Sequence, residues 1–180
     1  MKYTIQVQNG QPFDFLNVDA SGLTIDVIAH SLSNLCRFTG HTRKFYSVAQ
    51  HSVYVSYVVP PEDAFAGLMH DAAEALLGDV ASPLKALLPD YRAIEDRVEA
   101  MLFAHFGLSP KLPDSVKHAD RFVLSIEQRD LMPTGEPWES TKGFSLPQEK
   151  IVPLGSSVAK MMFLSRYEDL RKQGLLPKTN

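Results

Sequence analysis

Residues 67–79 read GLMHDAAEALLGD, a run of glycine, alanine, leucine and methionine into which His70, Asp71 and Glu74 are set within five positions. Apolar residues at this density specify a helix that is buried on most of its surface. At about 100° per residue, the three ionisable side chains share one arc with Gly67. Phe65, Leu68, Met69, Ala72, Ala75 and Leu76 cover the opposite side, and the segment carries no lysine, arginine or glutamine. The polar arc is either a solvated face or a site turned inward.

The preceding segment decides between them. Ser47-Val-Ala-Gln50 has the serine and glutamine spacing of a capping box. The helix it opens runs to Val58 and stops before Pro60-Pro61, the second proline suiting the first turn of the next helix, which ends near Gly78. His51 lies as far before the proline pair as His70 lies after it. Antiparallel helices each rise about 1.5 Å per residue, so equal offsets bring both imidazoles to one depth. Two imidazoles with Asp71 adjacent offer donors that suit zinc, manganese, iron, cobalt or nickel. Asp120 interrupts an apolar stripe of Val116, Val123 and Leu124 and is the candidate fourth ligand. Burying an isolated carboxylate is costly, so it needs a cation or a partner, with Arg121 and Arg129 as the competing partners.

The 180 residues fit a single domain, 1–180. Hydrophobic residues at 44% and charged residues at 22% are those of an ordinary globular chain. A net charge of −3 provides no global basic field for a nucleic-acid polymer. No stretch approaches the ~20 apolar residues of a membrane span. The lone Cys36 leaves no internal disulfide and fits a reducing compartment, so a cytoplasmic location is expected. Tyr3, Ile5 and Val7 alternate with polar residues as a short strand does, and a Gly/Pro/Asp-rich passage follows to Gly22. Thr24 caps a helix bearing Ile25, Ile28, Ala29 and Leu32. Helical spacing returns at Tyr91–Leu102, Val116–Leu131 and Val158–Leu170, and 132–150 reads as a long irregular loop containing Trp138. The expected fold class is all-α with a short N-terminal β element.

The order His51, His70-Asp71, Asp120 resembles the signature of the HD-domain metal-dependent phosphohydrolases. CRFTGHTRKFYSVAQHS and HDAAEALLGDVASPLK are similar to the YfbR-like 5′-deoxynucleotidase branch, which includes phage DatZ-type dATP triphosphohydrolases. The resemblance covers residues 24–131, while the loop and helix of 132–180 carry no motif of it. It implies an HD-domain helical bundle, dimeric or larger, with one divalent transition metal (Co²⁺, Mn²⁺ or Zn²⁺) on His51, His70, Asp71 and Asp120. It further implies Glu74 as general acid/base and Arg37 and Lys85 as cations acting on phosphate. Phe38, Asp79 and Pro83 fall beside the substrate; relatives carry a tryptophan at the position of Phe38, linked there to rejection of a 2′-hydroxyl.

The implied activity is hydrolysis of the 5′-phosphoester of a small deoxynucleotide, dNMP to deoxynucleoside plus phosphate, in the cytoplasm (the host's, for a phage-encoded chain). Release of intact triphosphate from a dNTP breaks the same bond and is the alternative. A non-catalytic nucleotide-sensing module is the alternative of another class; loss of a ligand or of Glu74 would mark it, and none is missing. Glu127 reads as a structural ion-pair partner, His118 as a bystander, and His41, Arg43 and Lys44 as a solvated charged loop.

Overall fold

A computed structural model describes residues 2–133 and 135–177; Met1, Thr134 and residues 178–180, included in the expected domain and loop, lie outside the described residues. The expected N-terminal strand is β1 (Thr4–Gln6). It pairs antiparallel with β2 (Pro12–Asp14), Ile5 opposite Phe13, inside the Gly/Pro/Asp-rich passage. The other regular elements are helices, and among the described residues no helix is long and apolar enough to cross a membrane.

Helix α1 (Ile25–Asn34) starts at Thr24, whose Oγ1 accepts from the Val27 N–H at 3.3 Å. Helix α2 (Val48–Val58) starts at Ser47, whose Oγ accepts from the Gln50 N–H at 3.2 Å. Only half of the capping box forms. Gln50 turns away instead, donating to the Val152 carbonyl and accepting from the Leu154 N–H, each at 2.9 Å. Small and apolar residues lie all round α2, as a central helix requires. It packs on α1, α3 (Ala64–Met69), α7 (Asp114–Leu131) and α8 (Ser156–Lys172). Ile28, Leu32, Val53, Leu68, Met69, Leu102 and Phe163 are sealed in the resulting core.

One expected element is broken. The helix anticipated through Leu77 divides into α3 and α4 (Glu74–Leu77), with 70–73 wound into tighter turns. His70 is the physical reason. Its Nδ1 sits 2.9 Å from the Gly67 carbonyl, the group that Asp71 would use in an α-helix. The backbone answers with three-residue bonds: Ala72 to Met69, Glu74 to Asp71 and Ala75 to Ala72, at 2.9, 3.0 and 3.1 Å. This overwinding sets the directions in which His70, Asp71 and Glu74 leave the backbone. Two further elements complete the helical body, α5 (Ser82–Lys85) and α6 (Pro89–His105).

The link from α1 to α2 closes through a bridge between Cys36 and Ser47. Inside it, Arg37–Gly40 forms a turn in which Phe38 and Thr39 take φ of 55° and 53° and Gly40 takes 82°. Consecutive left-handed residues with side chains are rare, because the Cβ crowds the next carbonyl. The described residues of 132–150 are irregular as expected, apart from a 3₁₀ turn at Glu139–Thr141.

The hairpin of α2 and α3 depends on close approach at Gly67. A Cβ there would meet Ser56 Cα at 3.2 Å and Val59 Cγ2 at 3.1 Å. Ser56 backbone is itself held by Arg166 of α8, whose Nη2 donates to the Ser56 carbonyl at 2.8 Å. Gly67→Ala is therefore expected to destabilise the chain by about 1–3 kcal/mol through overpacking against backbone. Urea unfolding of the two proteins measures this.

Candidate metal centre

Three side chains from separate segments, His51, His70 and Asp120, converge as a group that could share a metal ion. Asp71, the fourth expected ligand, lies against the two imidazoles without belonging to that group. His51 comes from the middle of α2, His70 and Asp71 from the overwound turn, and Asp120 from the second turn of α7. His51 Nε2 lies 3.3 Å from His70 Nε2 and 3.1 Å from Asp120 Oδ1. His51, His70 and Asp120 each offer one ligand atom within 4.8 Å of the others and could hold a metal ion. Asp71 brings Oδ1 to 3.3 Å from His70 Nε2 and Oδ2 to 3.6 Å from His51 Nε2. The donor chemistry fits a divalent transition ion. Two nitrogens each about 2.0–2.1 Å from one tetrahedral ion sit about 3.3 Å apart, the separation the two imidazoles already have. Asp120 uses neither arginine that competed for it: Arg121 donates to the Ser140 carbonyl and Arg129 pairs with Asp130.

Glu127, two helical turns beyond Asp120, is fully buried and organises this group. Its Oε1 lies 2.7 Å from His51 Nδ1, and its Oε2 accepts from Arg37 Nη2 at 3.1 Å. Sequence reasoning took Glu127 for a structural ion-pair partner; the structure gives it that role on two partners at once, one of them His51. A carboxylate on the far nitrogen fixes the tautomer that leaves Nε2 facing the other donors. Burial alone would push Glu127 up, but Arg37 and then His51 pull it down to about 2. Burial and Arg37 both oppose a charge on His51, while Glu127 and Asp120 more than offset them and raise it to about 10. Against its burial, the hydrogen bond with His51 holds Asp120 well below the usual carboxylate range.

Glu74 stands beside the cluster, nearly buried, and its Oε2 has no hydrogen-bond partner among the described residues. Burial first, then Asp71 and Asp79, push its carboxyl well above the ordinary range. Lys85 is half-buried, 3.6 Å from Glu74 Oε1 and 2.6 Å from Glu95 Oε1, so its charge is shared between two carboxylates. Arg37 reaches Asp71 Oδ2 with Nη1 at 3.5 Å, and its buried Nε is unpartnered among the described residues. Asp79 is partly buried, and burial raises its carboxyl above the ordinary range. Phe38 lies with its ring centre 5.3 Å from the Arg37 guanidinium carbon. Pro83 is exposed in the first turn of α5. His118 packs edge-on against Phe144, in keeping with a bystander. A cleft of about 500 Å³ lies between α7 and the loop after it, lined by Arg43, Gln128 and Phe144, and shares no residue with the donor cluster.

Two outcomes follow from this wiring. Glu127→Gln is expected to weaken Zn²⁺ binding by about 10–100-fold, read by competition with a chromophoric chelator. A histidine raised to about 10 is protonated at neutral pH, whereas a ligand nitrogen must be free of its proton. Zn²⁺ added to chelator-treated protein is therefore expected to release about one proton from His51. Apparent affinity should rise about tenfold per pH unit between pH 6 and 9 on this account. Calorimetry in buffers of different ionisation enthalpy counts the protons.

No family model matches the chain. It is 42% identical over 168 residues to the uncharacterized protein YfdR of Escherichia coli, covering 92% of this chain and 94% of that one. The uncharacterized protein RCAP_rcc00048 of Rhodobacter capsulatus is 32% identical over 131 residues, 67% of each chain. At that identity and coverage, the chain belongs to the family of YfdR.

Proposed function

We propose that the chain is an HD-type metal-dependent phosphohydrolase that cleaves the 5′-phosphoester of deoxynucleotides, dNMP to deoxynucleoside and phosphate. The observation that carries this reading is the convergence of His51, His70 and Asp120, with Asp71 against both imidazoles, beside a buried Glu74 whose carboxyl is raised by burial. The four donors would hold one divalent ion, with Co²⁺, Mn²⁺ and Zn²⁺ the ions their chemistry suits. Such an ion supplies positive charge to phosphate oxygens and lowers the pKa of water at the site.

The chain's own residues account for the rest. Hydrolysis forms a bond from water oxygen to phosphorus and breaks the bond from phosphorus to the 5′-oxygen, which must leave with a proton. Burial raises the carboxyl of Glu74 and so favours the protonated form that a proton donor needs, and Glu74 is assigned as general acid. Lys85 holds Glu74 in place from one side. Arg37, anchored by Glu127 and Asp71, presents a buried guanidinium with an uncommitted Nε–H for a phosphate oxygen. Asp79, partly buried and near Arg37, is placed to accept a hydrogen bond from a sugar hydroxyl.

The decisive assay is a panel of dNMPs, NMPs and dNTPs with Co²⁺, Mn²⁺, Zn²⁺ and Mg²⁺, resolving phosphate from triphosphate release. Phosphate release from dNMPs in preference to NMPs is expected. Triphosphate release would replace this reading with the dNTP hydrolase, and binding without turnover would replace it with a nucleotide sensor. Glu74→Ala is expected to lower kcat by about 10²–10⁴-fold while metal content stays at the wild-type level. A near-normal rate would remove Glu74 from its assigned role.

A further inference from the structure

Trp138 is the only tryptophan in the chain, and the fold fastens its loop to α7 without burying the indole. Its backbone N–H donates to Gln128 Oε1 at 3.1 Å, and the same oxygen accepts from Thr141 Oγ1 at 2.6 Å. Gln128 Nε2 donates to the Glu136 carbonyl at 3.0 Å, and Arg121 Nη2 to the Ser140 carbonyl at 3.2 Å. These bonds tie the loop to α7 at 121 and 128, next to Asp120 and Glu127. The indole remains 37% exposed.

Across from it stands Phe38, with ring centres 5.7 Å apart and planes tilted by 48°. Phe38 is only half-buried and is presented by the left-handed turn, at φ 55° and ψ 34°. That conformation is unfavourable for a residue with a side chain. Strain of this kind persists where its surroundings enforce it and clusters at ligand sites. Here it carries the chain from Arg37, whose guanidinium reaches the donor cluster, directly to a ring that faces Trp138. Two aromatic rings, both left partly open to solvent, therefore stand together, Phe38 next in the chain to the cation assigned to phosphate and Trp138 against Phe38.

We infer that Phe38 and Trp138 form a platform on which the nucleobase of the substrate stacks, an inference that rests on the deoxynucleotide reading above. Stacking uses the flat face that every base has and reads no hydrogen-bonding edge. The polar groups that flank the indole, the Gln128 amide and the Thr141 hydroxyl, are committed to holding the loop. The platform thus accepts purines and pyrimidines alike, with purines favoured by their larger overlap.

A single tryptophan makes the test direct. Glu74→Ala protein loaded with Zn²⁺ is titrated with dAMP, dCMP, 2-deoxyribose 5-phosphate and inorganic phosphate while indole emission is followed. Saturable quenching by dAMP and dCMP is expected, larger for dAMP, with no change from the two probes that lack a base. In parallel, Trp138→Ala in the otherwise wild-type enzyme should raise KM for both nucleotides about tenfold, keep kcat within about twofold and leave KM for 2-deoxyribose 5-phosphate unchanged. Trp138→Phe should restore most of the loss. Emission unmoved by dAMP, or a Trp138→Ala enzyme with unchanged KM, overturns the platform. Turnover of dAMP with unchanged KM in Trp138→Ala removes the platform and keeps the hydrolase. Quenching by dAMP with no turnover in wild type keeps the platform and removes the hydrolase.

Discussion

One buried carboxylate governs the arrangement. Glu127 has no access to solvent, and its two oxygens are divided between His51 at 2.7 Å and Arg37 at 3.1 Å. A charge in that position is tolerable only while both partners stay in place. The partners in turn belong to the two functions of the site, His51 to the donor cluster and Arg37 to the proposed phosphate contact. Removing the carboxylate would free both at once. The three segments α2, α7 and the 36–47 link are thus joined by a requirement of charge pairing that apolar packing alone would not impose.

The helical body supplies the fixed points for this pairing. Gly67 lets α3 approach α2 closely, which sets His70 against His51. His70 then takes the Gly67 carbonyl, and the tightened turn carries Asp71 and Glu74 to their places. The C-terminal helix α8 braces the same hairpin through Arg166 and Ser56. Local strain and local overwinding therefore occur where the candidate donors and Glu74 are displayed, and the regular helices around them hold the geometry.

What the sequence revealed and what it concealed follow from range. His51 and His70 were legible because a short hairpin relates them by simple counting. Asp120 was legible because an aspartate stands out in an apolar stripe. Glu127 was legible only as an ion-pairing residue. Its partners lie 76 and 90 positions away, and no local pattern names them. The split between α3 and α4 was hidden because every residue there favours a continuous helix, and a side chain breaks it by claiming a backbone acceptor. The left-handed turn was hidden for a related reason: phenylalanine and threonine carry no preference for positive φ. Strand β2 opens on a proline and pairs on one side only, which removes the usual strand signal.

Charge gives the last step. Around the cluster stand Asp71, Asp120, Glu127 and Asp79, with Arg37 and His51 as the opposing cations and Lys85 shared between Glu74 and Glu95. A phosphate dianion entering this ring alone would meet carboxylates on most sides, and Arg37 is already paired twice. A divalent cation entering first would displace the proton of His51 and face Asp71 and Asp120 unopposed. Asp71 Oδ2 lies 3.5 Å from Arg37 Nη1 and 3.6 Å from His51 Nε2, so a cation held by Asp71 would compete with Arg37 for that carboxylate. This surplus of carboxylates favours an order in the proposed reaction, cation before nucleotide, with Asp71, in contact with both His51 and Arg37, as the group common to the two events.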